Sequence, residues 1–543
     1  MATSASGTTH RRPAVGGRAR TAIAALGGVL ATLVGMAVGH LVASLLDPSA
    51  SPVLAVGSTV IDLTPTPVKE WAVSNFGNAD KPILIGSVLL VTLLLAAVAG
   101  IIAARRFVVG LALLLVLVGV AGVLALVRPT ATIVDLVPAL ATAVTGAAAL
   151  WWFHRTALGV GPGTTPAAAD APREATTQDT EGAGATDHPT GPRPTRRGVL
   201  VAGGVLAATA AAAGAVGQWI GSVKTRIGNI VLPTAVDSDP DLPDGLDIDG
   251  LSKFRTPNEE FYRVDVNLTV PVVDQDDWTL TIDGDVENEL TITWDELLDM
   301  DMVERDITMT CVSNDVGGQY VGAARWLGVP LTDLLERAGV GDRADQLLST
   351  AVDGFTISTP LDVVTDGRDA LVVVGMNGEP LPREHGFPVR LVIPGIYGYV
   401  GSTKWLTKLT LTTYDQEVAY WTERGWATQA PVKISSRVDV PKAAEEKEPG
   451  TVVIAGVAWA QTRGIAKVEV QIDGGGWTEA TLGADAGVDY WRQWYYEWDA
   501  TESGRHTVTV RATDVDGEVQ TDARMAPFPE GSSGLHTRAI QIA

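Results

Sequence analysis

Val303-Glu304-Arg305-Asp306-Ile307-Thr308-Met309-Thr310-Cys311, running on into Val312-Ser313-Asn314-Asp315-Val316-Gly317-Gly318, is the stretch on which the reading of this chain turns. Ile307, Met309 and Cys311 alternate with Thr308 and Thr310, so the first three share one face of a strand. The strand breaks into a loop with two glycines, which leaves a thiol at a strand end. Cys311 is the only cysteine among 543 residues. An internal disulfide is therefore impossible, and a cysteine-rich zinc or iron–sulfur site is excluded. Taken alone, such a residue reads as a small buried hydrophobe, because free cysteine packs inside more often than most residues. The segments C-terminal to Cys311 decide between that reading and a ligand.

Beyond this stretch the composition is uneven. Hydrophobic residues make up 46% of the chain and crowd its first third, while 63 acids against 40 bases leave a net charge of −23, carried mainly by the rest. A surface of that sign repels nucleic acid, which is discounted as a partner. A chain of this length should hold more than one domain.

Residues 1–155 read as a four-helix transmembrane region. A tail with Arg11, Arg12, Arg18 and Arg20 and no acid precedes apolar runs at 21–46, 82–103, 107–127 and 131–153. Each is close to or above the roughly 20 residues that cross a bilayer, and a signal peptide would be shorter. Arg105-Arg106 and His154-Arg155 place their ends inside, and the acidic 47–81 loop is expected outside. Arg128 is the one exception to the pattern. His40 and His154 fall at opposite membrane faces, so no haem is predicted. Membrane lipid is an expected partner, and the many Gly and Ala suit close helix packing.

Residues 156–194 lack apolar periodicity and read as a disordered cytoplasmic linker. Residues 195–220 begin Thr195-Arg196-Arg197-Gly198 and continue as a fifth apolar helix. The two arginines have two readings: the positive flank of that span, or a twin-arginine export motif inside the chain, placed just ahead of everything globular. Both put residues 221–543 outside the cytoplasm.

From Asn258 onward the chain shows strands, turns and short helices: a strand at 278–283 with an Asp283-Gly284 turn, and helices at 294–298 and 332–338. Five segments come in order: FYRVD at 261–265, TMTCVSN at 308–314, ARWLGVPL at 324–331, NGEPLPREHGFPVRLVIPG at 377–395 and YGYVGSTKW at 397–405. In this order and spacing they resemble the sulfite oxidase-like molybdopterin-dependent oxidoreductases, here as a membrane-anchored prokaryotic member.

The resemblance implies an α+β domain at 221–430 that binds a mononuclear molybdenum–molybdopterin cofactor. It implies that Cys311 ligates the metal, and that Tyr262 and Arg263 lie beside it, with Arg263 near the substrate. It further implies that His385 and Arg390 hold the pterin and its phosphate, that Ser402, Thr403 and Lys404 cradle the cofactor, and that Thr350 touches it. The chemistry agrees: a soft thiolate suits a metal already held by sulfur, and Arg and Lys suit a phosphate. There are departures. Sulfite-oxidising members place an Asn-Arg-Arg-type run after the cysteine, whereas here it is Asn314-Asp315-Val316. Their tyrosine near the metal has no secure equivalent, Trp426 lying near its place. The small substrate is therefore left open between a sulfite-like anion and an S- or N-oxide. With no CxxCH motif, electrons are expected to pass to or from a separate protein.

Residues 431–543 read as all-β, with strands at 452–459, 465–472, 491–498 and 506–512, and so as an immunoglobulin-like sandwich. The segment resembles the dimerisation domain of the same family, which implies a homodimer. Trp459, Trp477, Trp491, Trp494 and Trp498 read as core and interface. A second class of function is a non-catalytic binding or assembly subunit with this fold; retention of Cys311 and the basic residues favours the enzyme.

Overall fold

The computed structural model describes residues 17–158, 196–224 and 230–543, in two compact units divided between Arg226 and Ile227. The expected linker from residue 159 onward, Thr195 and most of the basic tail lie outside the described residues.

The first unit is helical: α1 (Gly17–Leu45), α2 (Pro52–Leu63), α3 (Thr66–Phe76), α4 (Asp80–Ala103), α5 (Phe107–Leu126), α6 (Val137–Phe153) and α7 (Arg196–Lys224). Among the described residues, five segments are long and apolar enough to cross a membrane: Gly17–Leu45, Asp80–Ala103, Phe107–Leu126, Ile133–Leu158 and Arg197–Ile220. α1 packs against α4, α6 and α7. Glycines let it approach. A Cβ on Gly28 would stand 2.1 Å from Ala96 O, and one on Gly39 would stand 2.9 Å from Pro138 O, so close backbone approach leaves no room for a side chain there. Two expectations are corrected. The 47–81 stretch is not a simple loop but carries α2 and α3. α2 is too short to span and starts at Pro52, where a missing N–H is harmless; it buries Leu54 and Ala55. Residues 156–158 belong to a helical turn, His154–Leu158, that prolongs α6. Arg128, the exception in the charge pattern, pairs with Asp47 at 3.2 Å and also bonds Ser49, so its charge is balanced locally.

The second unit begins with two sheets. One has the order Asp237–Ser238, Val303–Thr310, Val321–Pro330, Leu371–Met376, Arg390–Val392; the other runs Leu290–Thr293, Thr279–Gly284, Leu406–Thr412, Gln346–Ala351, Thr356–Pro360. The helix Trp294–Leu298 starts at a capping box between Thr293 and Glu296, which satisfies donors at the helix start. The helix Leu331–Ala338 buries Leu331, Leu334, Leu335 and Ala338, one stripe at helical spacing. Asp283 and Gly284 are the last two residues of their strand and lead into the 285–289 connection to its antiparallel neighbour Leu290–Thr293. Gly284 ends its strand at φ +92, and a Cβ there would meet Leu411 O at 2.2 Å, because Thr279–Gly284 pairs in parallel with Leu406–Thr412.

Two further sheets complete the unit. Ser435–Val440, Gly450–Trp459, Arg492–Ala500 and Thr481–Leu482 form one; Glu446–Lys447, His536–Ile542, Gly504–Asp514, Ile465–Ile472 and Trp477–Glu479 form the other. Val438, Ile454, Val468, Val470, Trp494, Val508, Val510 and Ile540 fill the space between them. Ser435–Val440 escapes the sequence pattern because polar Ser436 and Arg437 are buried in it, held by Gln520 and by Asp439. This part is not separate from the first. Val457, Trp459, Tyr490 and Trp491 join the core of the preceding sheets, and Tyr490 OH and Trp491 Nε1 both donate to Phe254 O, at 2.9 and 2.7 Å.

Candidate active site

The alternation read in the sequence has a structural counterpart. Val303–Thr310 pairs antiparallel with Val321–Pro330. Ile307 and Met309 are buried with Phe261, Trp326 and Phe387, and Cys311 is buried at the strand end. Thr308 and Thr310 turn to the β-sandwich, where Thr308 Oγ1 accepts from Trp491 N at 2.8 Å. Cys311 N donates to Tyr320 O at 2.9 Å, and Asn314 N donates back to Cys311 O at 3.0 Å, which folds the loop over the thiol. Burial pushes the thiol up; hydrogen bonds from Ser313 and the charge of Lys404 pull it back.

Lys404 belongs to a cluster of cations, unusual in so acidic a chain. Arg390 is buried; its Nη1 donates to His385 O at 3.0 Å, its Nη2 lies 3.6 Å from Met309 Sδ, and its guanidinium sits 5.1 Å from the centre of the Trp326 ring. Burial lowers Arg390 to about 10. Its Nε is buried with no hydrogen-bond partner. Lys404 Nζ pairs with Asp265 Oδ2 at 2.7 Å and donates to Glu384 O at 3.2 Å; burial lowers it to about 8 against the pull of Asp265. Arg263 Nε pairs with the same carboxylate at 2.8 Å. His385 closes the turn Arg383–His385. Burial lowers it to about 4, so the ring is neutral, and because a carbonyl only accepts, Nε2 is the protonated nitrogen that donates to Asn258 O at 2.9 Å. Tyr262 stacks on Phe261, and burial and the nearby Cys311 push its phenol up while Arg390 pulls it down.

Tyr262, Arg263, Cys311, His385, Arg390 and Lys404, far apart in the chain, are thus linked by direct contacts and by charge. The remaining three behave differently. Thr403 is fully buried, and its hydroxyl is engaged with Ser349 Oγ at 2.5 Å, so it tethers the segment. Ser402 caps the turn Gly398–Gly401. Thr350 O accepts from Thr407 Oγ1, and Thr350 takes no part in the cationic cluster. Two residues escaped the sequence reading. Asp265 joins Arg263 to Lys404; its signal was the Arg-x-Asp spacing. Tyr397, 3% exposed, is near enough to Cys311 to feel its charge and is pushed up to about 12, chiefly by burial. Tyr262 and Tyr397 both feel the charge of Cys311, whereas Trp426 packs among Tyr399, Trp421 and Phe528.

The arrangement suits an anion beside a soft metal. A buried guanidinium with an unsatisfied donor is costly without an acceptor, and a cofactor phosphate supplies one. Among the described residues no three His, Cys, Asp or Glu side chains converge as a metal site.

Comparison with known proteins agrees. The oxidoreductase molybdopterin binding domain family matches residues 267–421, a span that holds Cys311, His385, Arg390 and Lys404 but begins after Arg263. Rat mitochondrial sulfite oxidase is 29% identical over 272 residues, covering 42% of this chain and 49% of that protein. Tomato NADH nitrate reductase is 30% identical over 178 residues, 28% of this chain and 19% of that protein. The structure of the sulfane dehydrogenase SoxCD from Paracoccus pantotrophus aligns with a TM-score of 0.48 at 25% identity, covering 53% of this chain and 81% of that one. The chain spans about half the length of the first curated relatives it matches. Residues 267–421 thus match the oxidoreductase molybdopterin binding domain family, and this part of the chain is similar to sulfite oxidases and to a nitrate reductase.

Proposed function

We propose that this protein is a membrane-anchored, extracytoplasmic molybdenum-cofactor oxidoreductase that moves an oxygen atom to or from a small substrate and exchanges electrons with a separate carrier. The observation that carries the proposal is Arg390, a buried cation with an unsatisfied Nε, whose charge acts on Tyr262 as that of the chain's only thiol does. When bound, the molybdenum–molybdopterin group supplies oxygen-atom transfer coupled to two-electron exchange. Cys311 holds the metal as a thiolate, which the metal favours over the thiol. Arg390 and Lys404 meet the phosphate with charge-assisted hydrogen bonds. Neutral His385 presents Nδ1 as an acceptor for a pterin N–H. Asp265 aims Lys404 and Arg263, and Tyr262 presents a neutral phenol at the thiol.

Five apolar helices anchor the catalytic part, with Arg105 and Arg106 inside and the Arg128–Asp47 pair outside. The twin-arginine pair exports the folded domain. The C-terminal sandwich is immunoglobulin-like and supports a homodimer. The test is elemental and pterin analysis of full-length protein purified from a host that makes the cofactor. A substrate screen with an artificial electron carrier then compares sulfite with S- and N-oxides. Stoichiometric molybdenum and pterin are expected; intact Cys311 with neither would sink the proposal.

A further inference from the structure

The strand that carries Cys311 has one properly paired edge, against Val321–Pro330. On its other edge Asp237–Ser238 pairs only with Val303 and Glu304. Past Glu304 the edge is closed piecemeal. Asp306 N donates to Asp239 Oδ2 at 2.7 Å. Then the β-sandwich takes over: Thr308 N donates to Asp489 O at 2.9 Å, Thr308 Oγ1 accepts from Trp491 N at 2.8 Å, and Gln461 Nε2 donates to Thr308 O at 2.9 Å and reaches Thr310 Oγ1 at 3.4 Å. The loop after the thiol is gripped by the same part of the chain. Ser532 Oγ donates to Asn314 O at 2.6 Å, and Arg437 Nη1 donates to Gly318 O at 2.7 Å.

We propose that the C-terminal sandwich is a working part of the Cys311 site, and that Gln461 is a positioning residue for the thiol. This rests on Cys311 being the metal ligand. The physical reason is register. Side chains alternate along a strand, so a slip of one residue would present Thr310 where Cys311 belongs. Thr308, held at its N–H, its hydroxyl and its carbonyl by one neighbouring part, cannot slip. Gln461 is 2% exposed, yet its Oε1 is buried with no donor. Such an orphan opposes folding, so the residue is poorly explained as a stabiliser and well explained as a pointer. Its amide direction comes from chemistry: Thr308 O only accepts, so Nε2 must face it.

The lone cysteine makes the test specific, because any thiol reagent reads Cys311 alone. The alkylation rate is measured on cofactor-free full-length protein for wild type, Gln461→Leu, Ser532→Ala and a control, Gln471→Leu, whose amide bonds only Gly475 O on the exposed side of the sandwich. The expected result is alkylation about fivefold faster in Gln461→Leu, the factor of one net hydrogen bond, with a melting temperature close to wild type and no change in Gln471→Leu. In loaded protein the thiolate-to-metal absorption should shift in Gln461→Leu and not in the control. Wild-type alkylation in Gln461→Leu, or equal acceleration in the control, overturns the proposal. If Gln461→Leu does not fold, Ser532→Ala decides by the same two readings. Because alkylation needs no metal, failure here is distinct from failure of the cofactor proposal, which shows only in metal and pterin content.

Discussion

Replacing Arg390 with methionine should make the cofactor-free protein more stable and the cofactor harder to hold. The guanidinium is fully enclosed, pairs with no carboxylate among the described residues and leaves Nε unsatisfied. Burial holds it at about 10 rather than 12.5, which corresponds to about 3 kcal/mol against the charged form. Arg390→Met fits similar volume and removes that term. It also removes the bond to His385 O, returning about 1 kcal/mol. The net expectation is about 2 kcal/mol of added stability, or about 3 °C in melting temperature for a unit of this size. The opposite sign is expected for cofactor. Losing one charge-assisted bond to a phosphate, about 1.5–3 kcal/mol, lowers affinity by roughly 10- to 100-fold. Thermal unfolding of cofactor-free protein and pterin content of loaded protein are the two assays. A lower melting temperature without cofactor, or wild-type pterin content, would contradict the view of Arg390 as a cation kept for a cofactor anion.

Three other outcomes are expected. Cys311→Ser should fold and keep pterin but show no protein-derived metal–sulfur distance in X-ray absorption, and it should be inert in every assay. His385 and His536 both sit at about 4 through burial, below the unfolded value of 6.5, so their contribution to stability is intact above pH 6.5 and is lost as pH falls toward 4. At pH 5 each takes away about 2 kcal/mol, and a His385→Gln, His536→Gln pair should flatten the fall in urea midpoint between pH 7.5 and 5. Gly28→Leu should push α1 from α4, since even a Cβ meets Ala96 O; a loss of a few kcal/mol would appear as aggregation of detergent-solubilised protein at lower temperature, and an unchanged profile would disprove the packing.

The acidic sandwich and the cationic cluster belong to one unit of a chain whose net charge is −23. Arg263 and Lys404 share one carboxylate, Asp265, while Arg390 has none. The site is therefore under-neutralised inside a protein that is over-supplied with acid elsewhere. Local arrangement, not net charge, sets what binds there.

Elements whose cause is local were legible in the chain itself. Apolar run length marked the five long helices, period-two alternation marked the face of Ile307, Met309 and Cys311, and amphipathic spacing marked the short helix at Trp294. Motif order was enough to nominate Cys311, His385, Arg390 and Lys404, because those residues recur at fixed places in a known pattern. Folding in three dimensions settled whatever depends on residues distant in the chain. Asp265 became a bridge because residues 265 and 404 meet in space. Thr403 became a tether because Ser349 takes its hydroxyl, and Tyr397 was enclosed within range of the thiol's charge while Trp426 packed among Tyr399, Trp421 and Phe528. Ser435–Val440 was hidden because its buried positions are polar, and a hydrophobic pattern cannot report a side chain whose partner, for Ser436, is Gln520. The edge of the Cys311 strand is closed by Gln461 and Asp489 for the same reason: backbone groups must be satisfied in the folded protein, and nothing in the local sequence says by whom.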